Sequence, residues 1–235
     1  SRARGMSSGR SSRPRTCPTL TDCTFSANSA SWGGGGAFIV QCSSPVTGCE
    51  FSGNAAELGG GVYFANDSSN VSNCTFFSNQ ADVSAGAAYF SAWSSTMVSD
   101  SKFLYNASAR HGGAVRSEQS SSPTFTDVTF ARSVAVWSGG AALCEDGSPS
   151  FQFVEFRTNT AGGSGGGIRC DLSASATLAN ATFYDNVAAR GTALYCSDGT
   201  SATLSNCVVA FGGDAASAIE CAPTGDTDLS ASNVY

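Results

Sequence analysis

One short phrase, an aromatic residue followed by two residues and Asn, recurs along this chain at nearly constant spacing. It reads Phe25–Asn28, Phe51–Asn54, Phe76–Asn79, Phe103–Asn106, Phe156–Asn159 and Phe183–Asn186, with degenerate copies at Phe130–Ser133 and Val209–Gly212. Successive slots lie 25–27 residues apart, and a ninth copy begins at Leu229. Two other phrases keep step. Five residues before each slot stands an apolar residue: Leu20, Val46, Val71, Val98, Phe125, Phe151, Leu178 and Leu204. About twelve residues after it comes a pair of glycines or small residues and a short apolar stretch, as in Gly35-Gly36-Ala37-Phe38 or Gly112-Gly113-Ala114-Val115. A period of this length marks a stacked repeat rather than an ordinary globular chain.

Each period thus holds three short strands separated by Gly, Asn, Asp and Ser turns. Strands of three to five residues cannot bury their apolar side alone. Stacking the same strand from the next period gives each one a hydrogen-bonded neighbour ~4.8 Å away, with like residues on like. The pattern therefore predicts an all-β, three-sided parallel β-helix of about eight coils, roughly 40 Å long. Leucine-rich repeats share the period but need several leucines per repeat, and the whole chain has nine. With one Lys and charged residues at 13%, it also lacks the usual material of surface helices. No apolar run approaches the ~18 residues of a membrane-spanning helix.

Residues 1–16 read as a basic, disordered lead-in and 17–235 as the β-helix domain. The lead-in carries Arg2, Arg4, Arg10, Arg13 and Arg15 and almost no apolar residue, so it lacks the amphipathic face of a transit peptide. In the expected register, Phe25, Phe51, Phe76, Phe103, Phe130, Phe156 and Phe183 stack inside. Asn28, Asn54, Asn79, Asn106, Asn159 and Asn186 form a ladder that satisfies turn backbone. On the strand after the glycines the inward slots are Phe38, Val62, Ala88, Val115, Ala142, Ile168, Leu194 and Ile219. Two residues on, they are Val40, Phe64, Phe90, Ser117, Cys144, Cys170, Cys196 and Cys221.

The joint repetition of Phe-x-x-Asn and Gly-Gly-Ala-apolar over residues 17–235 resembles the repeat of chlamydial polymorphic outer-membrane proteins. Similar repeats mark right-handed parallel β-helix proteins of the pectate-lyase-like superfamily. The resemblance implies a right-handed helix, an extracellular or cell-surface location, and an adhesin-like role.

Ten cysteines fall into columns. Cys23, Cys49, Cys74 and Cys207 face in two residues before the Phe slot, and Cys144, Cys170, Cys196 and Cys221 repeat on successive coils. Cys17 and Cys42 sit near the first turns. They are read as small buried hydrophobes or as inter-coil disulfides; stacked side chains that point one way do not converge on zinc. His111, the only histidine, is expected in a solvated turn. The outward slots read Tyr63, Tyr89, Arg116, Leu143, Arg169 and Tyr195, and two residues on Glu118, Glu145 and Asp171 stack on consecutive coils. These acids, with Arg116 or Arg169, are the candidates for general acid–base work or for calcium. The plainer reading is a solvated face of weak ion pairs. A second outward face, Thr21, Thr47, Thr124, Thr126, Thr177 and Thr203, suggests ice binding, but Pro45, Met97, Gln152 and Ala179 interrupt it. Asn-x-Ser/Thr acceptor sequences occur at Asn66, Asn70, Asn73, Asn106 and Asn180.

Beyond residue 15 the chain carries 7 basic and 18 acidic groups. A body at −11 does not suit nucleic acid, whose binding requires cationic neutralisation. The expected function is a non-catalytic secreted or surface rod that meets a surface protein or a carbohydrate and uses no cofactor. The alternative is a lyase or glycosidase acting on polysaccharide; ice binding ranks third. Coil lengths of 25–27 residues leave no inserted loop to wall a reaction groove, which favours the rod.

Overall fold

The computed structural model describes residues 17–210, 217–230 and 233–234. The expected lead-in, 1–16, lies outside them. No helix occurs among the described residues, and all strand pairing is parallel. Four sheets run along a solenoid, with nine, nine, five and eight strands. In chain order, each coil visits a threonine-bearing sheet that starts at Leu20–Thr21 and a phenylalanine sheet that starts at Thr24–Ser26. It then visits a short sheet, first seen at Ala55–Leu58, and a tyrosine–arginine sheet that starts at Ala37–Val40. The short sheet, between the Asn slot and the glycines, is a fourth side that the three-strand reading of the repeat does not contain.

The core is built by identity across coils. Phe25, Phe51, Phe76, Phe103, Phe130, Phe156 and Phe183 pair in register. Their rings stack with centroids 4.5–5.1 Å apart. Phe125 stacks on Phe151 from the threonine sheet and meets this column edge-on.

Beside the phenylalanines runs the asparagine ladder. Asn54 Oδ1 accepts from the backbone N and from Nδ2 of Asn28, both at 3.0 Å, while Asn54 Nδ2 donates to the carbonyl of Phe25 at 2.8 Å. The same three bonds repeat from Asn79 and Asn106. They resume from Asn186 onto Asn159. At the fifth coil Ser133 takes the slot. Its N–H still donates to Asn159 Oδ1 at 3.0 Å, but its buried hydroxyl has no partner.

Two expectations about register need correction. Phe38 and Val40 do not point inward. Ala37 pairs with Val62 and Phe38 with Tyr63, so Phe38 is 49% exposed while Ala37 and Ile39 turn to the core. The cause is the position of the left-handed residue. Gly34, Gly59, Gly112, Gly139, Gly165 and Gly191 all have φ of 53–67°, and each stands three residues before the first inward side chain. A Cβ at Gly34 would lie 2.1 Å from the carbonyl oxygen of Ala37. Within the run Gly33–Gly36, sequence alone does not show which glycine takes that role.

The interrupted ladder makes a stability prediction. Ser133→Asn should restore the missing amide contacts and raise stability by about 1 kcal/mol. Denaturant unfolding monitored by far-UV circular dichroism measures it; a loss of stability would mean that the fifth coil does not share the geometry of its neighbours.

Candidate functional site

The candidate acids and arginines lie on the outer surface of the tyrosine–arginine sheet. Strands Val62–Ala65, Ala88–Ser91, Val115–Ser117, Ala142–Glu145, Ile168–Asp171 and Leu194–Cys196 bring Tyr63, Tyr89, Arg116, Leu143, Arg169 and Tyr195 into one column. Glu145 and Asp171 are directly opposed on adjacent strands.

This face is not the solvated surface expected from the alternation. Tyr89, Leu143 and Glu145 are only 2%, 1% and 9% exposed. The backbone preceding each strand folds back over it. Leu58, Ser84, His111, Ser138, Ser164 and Arg190 bridge from coil to coil as a continuous ridge. The left-handed residue behind the ridge brings it down onto the column: a Cβ at Gly165 would sit 2.8 Å from Arg169 Cβ.

Arg116 lies between two carboxylates. Its Nη2 is 2.6 Å from Glu145 Oε2 and 2.8 Å from Glu118 Oε2, and its Nε donates to Glu145 Oε2 at 3.0 Å. Nη1 reaches Ser84 Oγ, and the guanidinium lies over the Tyr89 ring. Arg169 repeats the scheme. It grips Asp171 with two bonds of 2.6 and 3.1 Å, donates to Ser138 and Ser164, and covers Tyr195. Arg190 pairs with Glu220 at 2.6 Å.

Glu118, Glu145 and Asp171 are therefore brought to one face, and arginine occupies the space between the first two. No group of three or more His, Cys, Asp or Glu among the described residues is arranged to hold a metal ion. Burial pushes the Glu145 carboxyl above its ordinary range, with Arg116 opposing the shift. Burial raises the Tyr89 hydroxyl well above its ordinary value. These side chains are matched to each other rather than left reactive.

His111 also differs from expectation. It is half-buried in the ridge, its Nδ1 is buried without a partner, and its ring meets Trp137 edge-on at 5.1 Å. Burial, followed by Arg116 and Arg169, lowers its pKa, which favours the neutral imidazole.

The cysteines divide. Cys17 and Cys42 form a disulfide between the first two coils, with Cα atoms 5.7 Å apart. Cys144, Cys170 and Cys196 are buried in register, with Cys221 half-buried at the end of the column. Cys49, Cys74 and Cys207 are buried as well. Burial raises Cys74 to about 11, and Cys170 is held well above the ordinary thiol range by its neighbour Cys144 and by burial. These groups pack as small hydrophobes.

Two surface features were missed in the sequence. Trp32 packs on Phe38 and Tyr63, and Tyr63 stacks on Tyr89, which makes an aromatic run over the first three coils. Only the left-handed glycine, invisible in the sequence, turns Phe38 outward to join it. Trp137 stands half-exposed on the ridge with Arg110 over its ring. On the threonine sheet, Asn70, Met97, Thr124, Ser150, Thr177 and Thr203 share one outward column, so threonine does not form an unbroken array. Asn66, Asn70 and Asn73 are exposed, whereas Asn106 is fully buried in the ladder.

A family model described as a right-handed beta helix region matches residues 86–234. The chain belongs to this family. No curated protein and no solved structure matches it. The family's right-handed coil accounts for the four parallel sheets and the constant register, and it fixes the side-chain columns described above.

The ion-pair column carries a prediction. Arg116→Met should cost about 3–5 kcal/mol, because it strands the buried Glu145 beside Glu118 without a cation. Glu145→Gln should cost clearly less, since Glu118 still engages Arg116. Equal losses in chemical denaturation would mean that the Arg116–Glu145 pair carries the whole effect and Glu118 adds nothing.

Proposed function

We propose that this right-handed β-helix is the body of a secreted or cell-surface rod that binds other molecules without transforming them, in an adhesin-like manner. The observation that carries the reading is the pairing of the candidate acids. Glu118 and Glu145 are both bound by Arg116, and Asp171 is bound by Arg169. Acid–base catalysis by these groups would require a carboxylate released from its guanidinium. It would also require a dry pocket, because electrostatic stabilisation of a transition state is strong only where water is excluded. The coil lengths of 25–27 residues leave no long loop to build one.

The resemblance of the repeat to chlamydial polymorphic outer-membrane proteins supports a surface role. The Cys17–Cys42 disulfide suits an oxidising compartment. No helix of the described residues is long and apolar enough to cross a membrane. The net charge argues against nucleic acid. A carbohydrate or a surface protein suits the exposed run of Trp32 and Phe38 beside Tyr63, since aromatic faces offer apolar area with a rigid shape.

The test is retention on immobilised polysaccharides and on intact cell surfaces, with product analysis in the same samples, with and without calcium. The expected result is retention without degradation, reduced at least tenfold by the double change Trp32→Ala and Phe38→Ala. Polymer cleavage that disappears in Glu145→Gln, with the fold intact, would replace the rod with a lyase or glycosidase.

A further inference from the structure

The outer face of the short sheet is separate from the aromatic run and meets the ion-pair column only at Arg190. Its central outward column reads Glu57, Asp82, Ala109, Val136, Gly162 and Ala189 on coils two to seven, all exposed. The acids occupy only coils two and three. On coils four to seven the face carries no acid; it presents Val134, Val136, Trp137 and Val187 at 44–57% exposure, with Arg110 and Arg190 at its rim. Arg110 forms no ion pair among the described residues. An exposed apolar strip with a cationic rim is unusual on a body that is otherwise strongly acidic, and contiguous patches of this kind commonly mark interaction sites.

The order of residues along the strip identifies the occupant. Place a two-fold axis in the plane of the face, along the strands, between coils four and five. Coil two then meets coil seven of a second copy, three meets six, and four meets five. The central column pairs Glu57 with Ala189, Asp82 with Gly162 and Ala109 with Val136, so a larger side chain meets a smaller one each time. The next column sets Arg110, which lies over Trp137 of its own chain, opposite Trp137 of the second copy, so the two cation–ring pairs meet at the axis. Arg190, which pairs with Glu220 in its own chain and keeps a side chain 54% exposed, comes within reach of Glu57 as a second carboxylate. Coils two and seven also share a local geometry: each lacks the extra residue that coils three to six carry before the ridge.

We infer that this chain self-associates as an antiparallel, isologous dimer through the outer face of its short sheet. Size and charge complement each other about one axis, as two-fold symmetry requires of a single patch. The two sheets would pack ~10 Å apart. A face six coils long and three residues wide spans ~29 by ~10 Å. That is well below the ~800 Å² per partner of a standard stable interface, so the dimer is weak and concentration-dependent.

Sedimentation velocity over roughly 10 to 500 µM tests this. The expected result is reversible growth of the average mass from 23.8 kDa towards twice that value. Val136→Glu should weaken the association at least tenfold while leaving the far-UV spectrum unchanged. Glu57→Arg should weaken it too, and adding Arg190→Glu should restore it. Under mild oxidation, mixed Ala109→Cys and Val136→Cys chains should form a disulfide-linked pair. Thr124→Cys, on the threonine sheet, should not link to either. A single-chain mass across the whole range overturns the inference. So does association that Val136→Glu leaves untouched, or a cysteine mixture that forms no link.

Discussion

The asparagine ladder is the interaction on which the rest of this solenoid depends. Each buried amide bonds the backbone and side chain of the preceding coil, as Asn54 does with Asn28 and with the carbonyl of Phe25. A buried amide left unbonded costs more than a formed bond returns, so a slip of one residue is penalised at every coil. The phenylalanine column beside it adds apolar burial with the same spacing. Together they lock each coil to the next in one register, and every outward column inherits that register. The ion pairs of Arg116 and Arg169 and the exposed strip of the short sheet exist because equivalent positions are held one strand spacing apart.

Much of this was legible in the sequence, because a linear repeat writes its core once per coil. Phe103 and Asn106 could be placed from spacing alone, with no knowledge of tertiary contacts. What was hidden arises between segments. The outward position of Phe38 depends on which of four consecutive glycines adopts a positive φ. The burial of Tyr89, Leu143 and Glu145 depends on the ridge that folds back over them. No alternation pattern encodes that cover, and it also half-buries His111. The short sheet escaped notice because three of its five strands, Ala107–Ser108, Val134–Ala135 and Thr160–Ala161, are only two residues long. The cysteines were ambiguous for a physical reason: stacked coils place both packing thiols and disulfide partners at similar separations. Only the structure distinguishes Cys17 and Cys42, which are bonded, from the buried column at Cys144 and Cys170.

The candidate site shows how a repetitive scaffold removes chemistry as readily as it supplies it. Three acids at coil spacing suggest an ion site when read along the sequence. In the fold, arginines on the same face reach them first, and Ser84, Ser138 and Ser164 take further guanidinium donors. The result is a polar network with its charges compensated. The faces left to meet other molecules are those that keep large side chains exposed: Trp32 and Phe38 on the first coils, and Val134, Val136, Trp137 and Val187 on the strip of the short sheet.

The central claim is that each coil is an interchangeable unit held in register by the ladder. Deletion of residues 131–156 tests it most directly. The cut removes one period, joins Phe130 to Arg157 so that Phe130, Arg157, Thr158 and Asn159 form an intact repeat phrase, and brings Asn106 against Asn159. The shortened chain should keep an all-β far-UV spectrum and a single cooperative unfolding transition, while deletion of only 131–143 should abolish both. Loss of cooperative folding in the full-period deletion, or survival of the half-period one, would contradict the account.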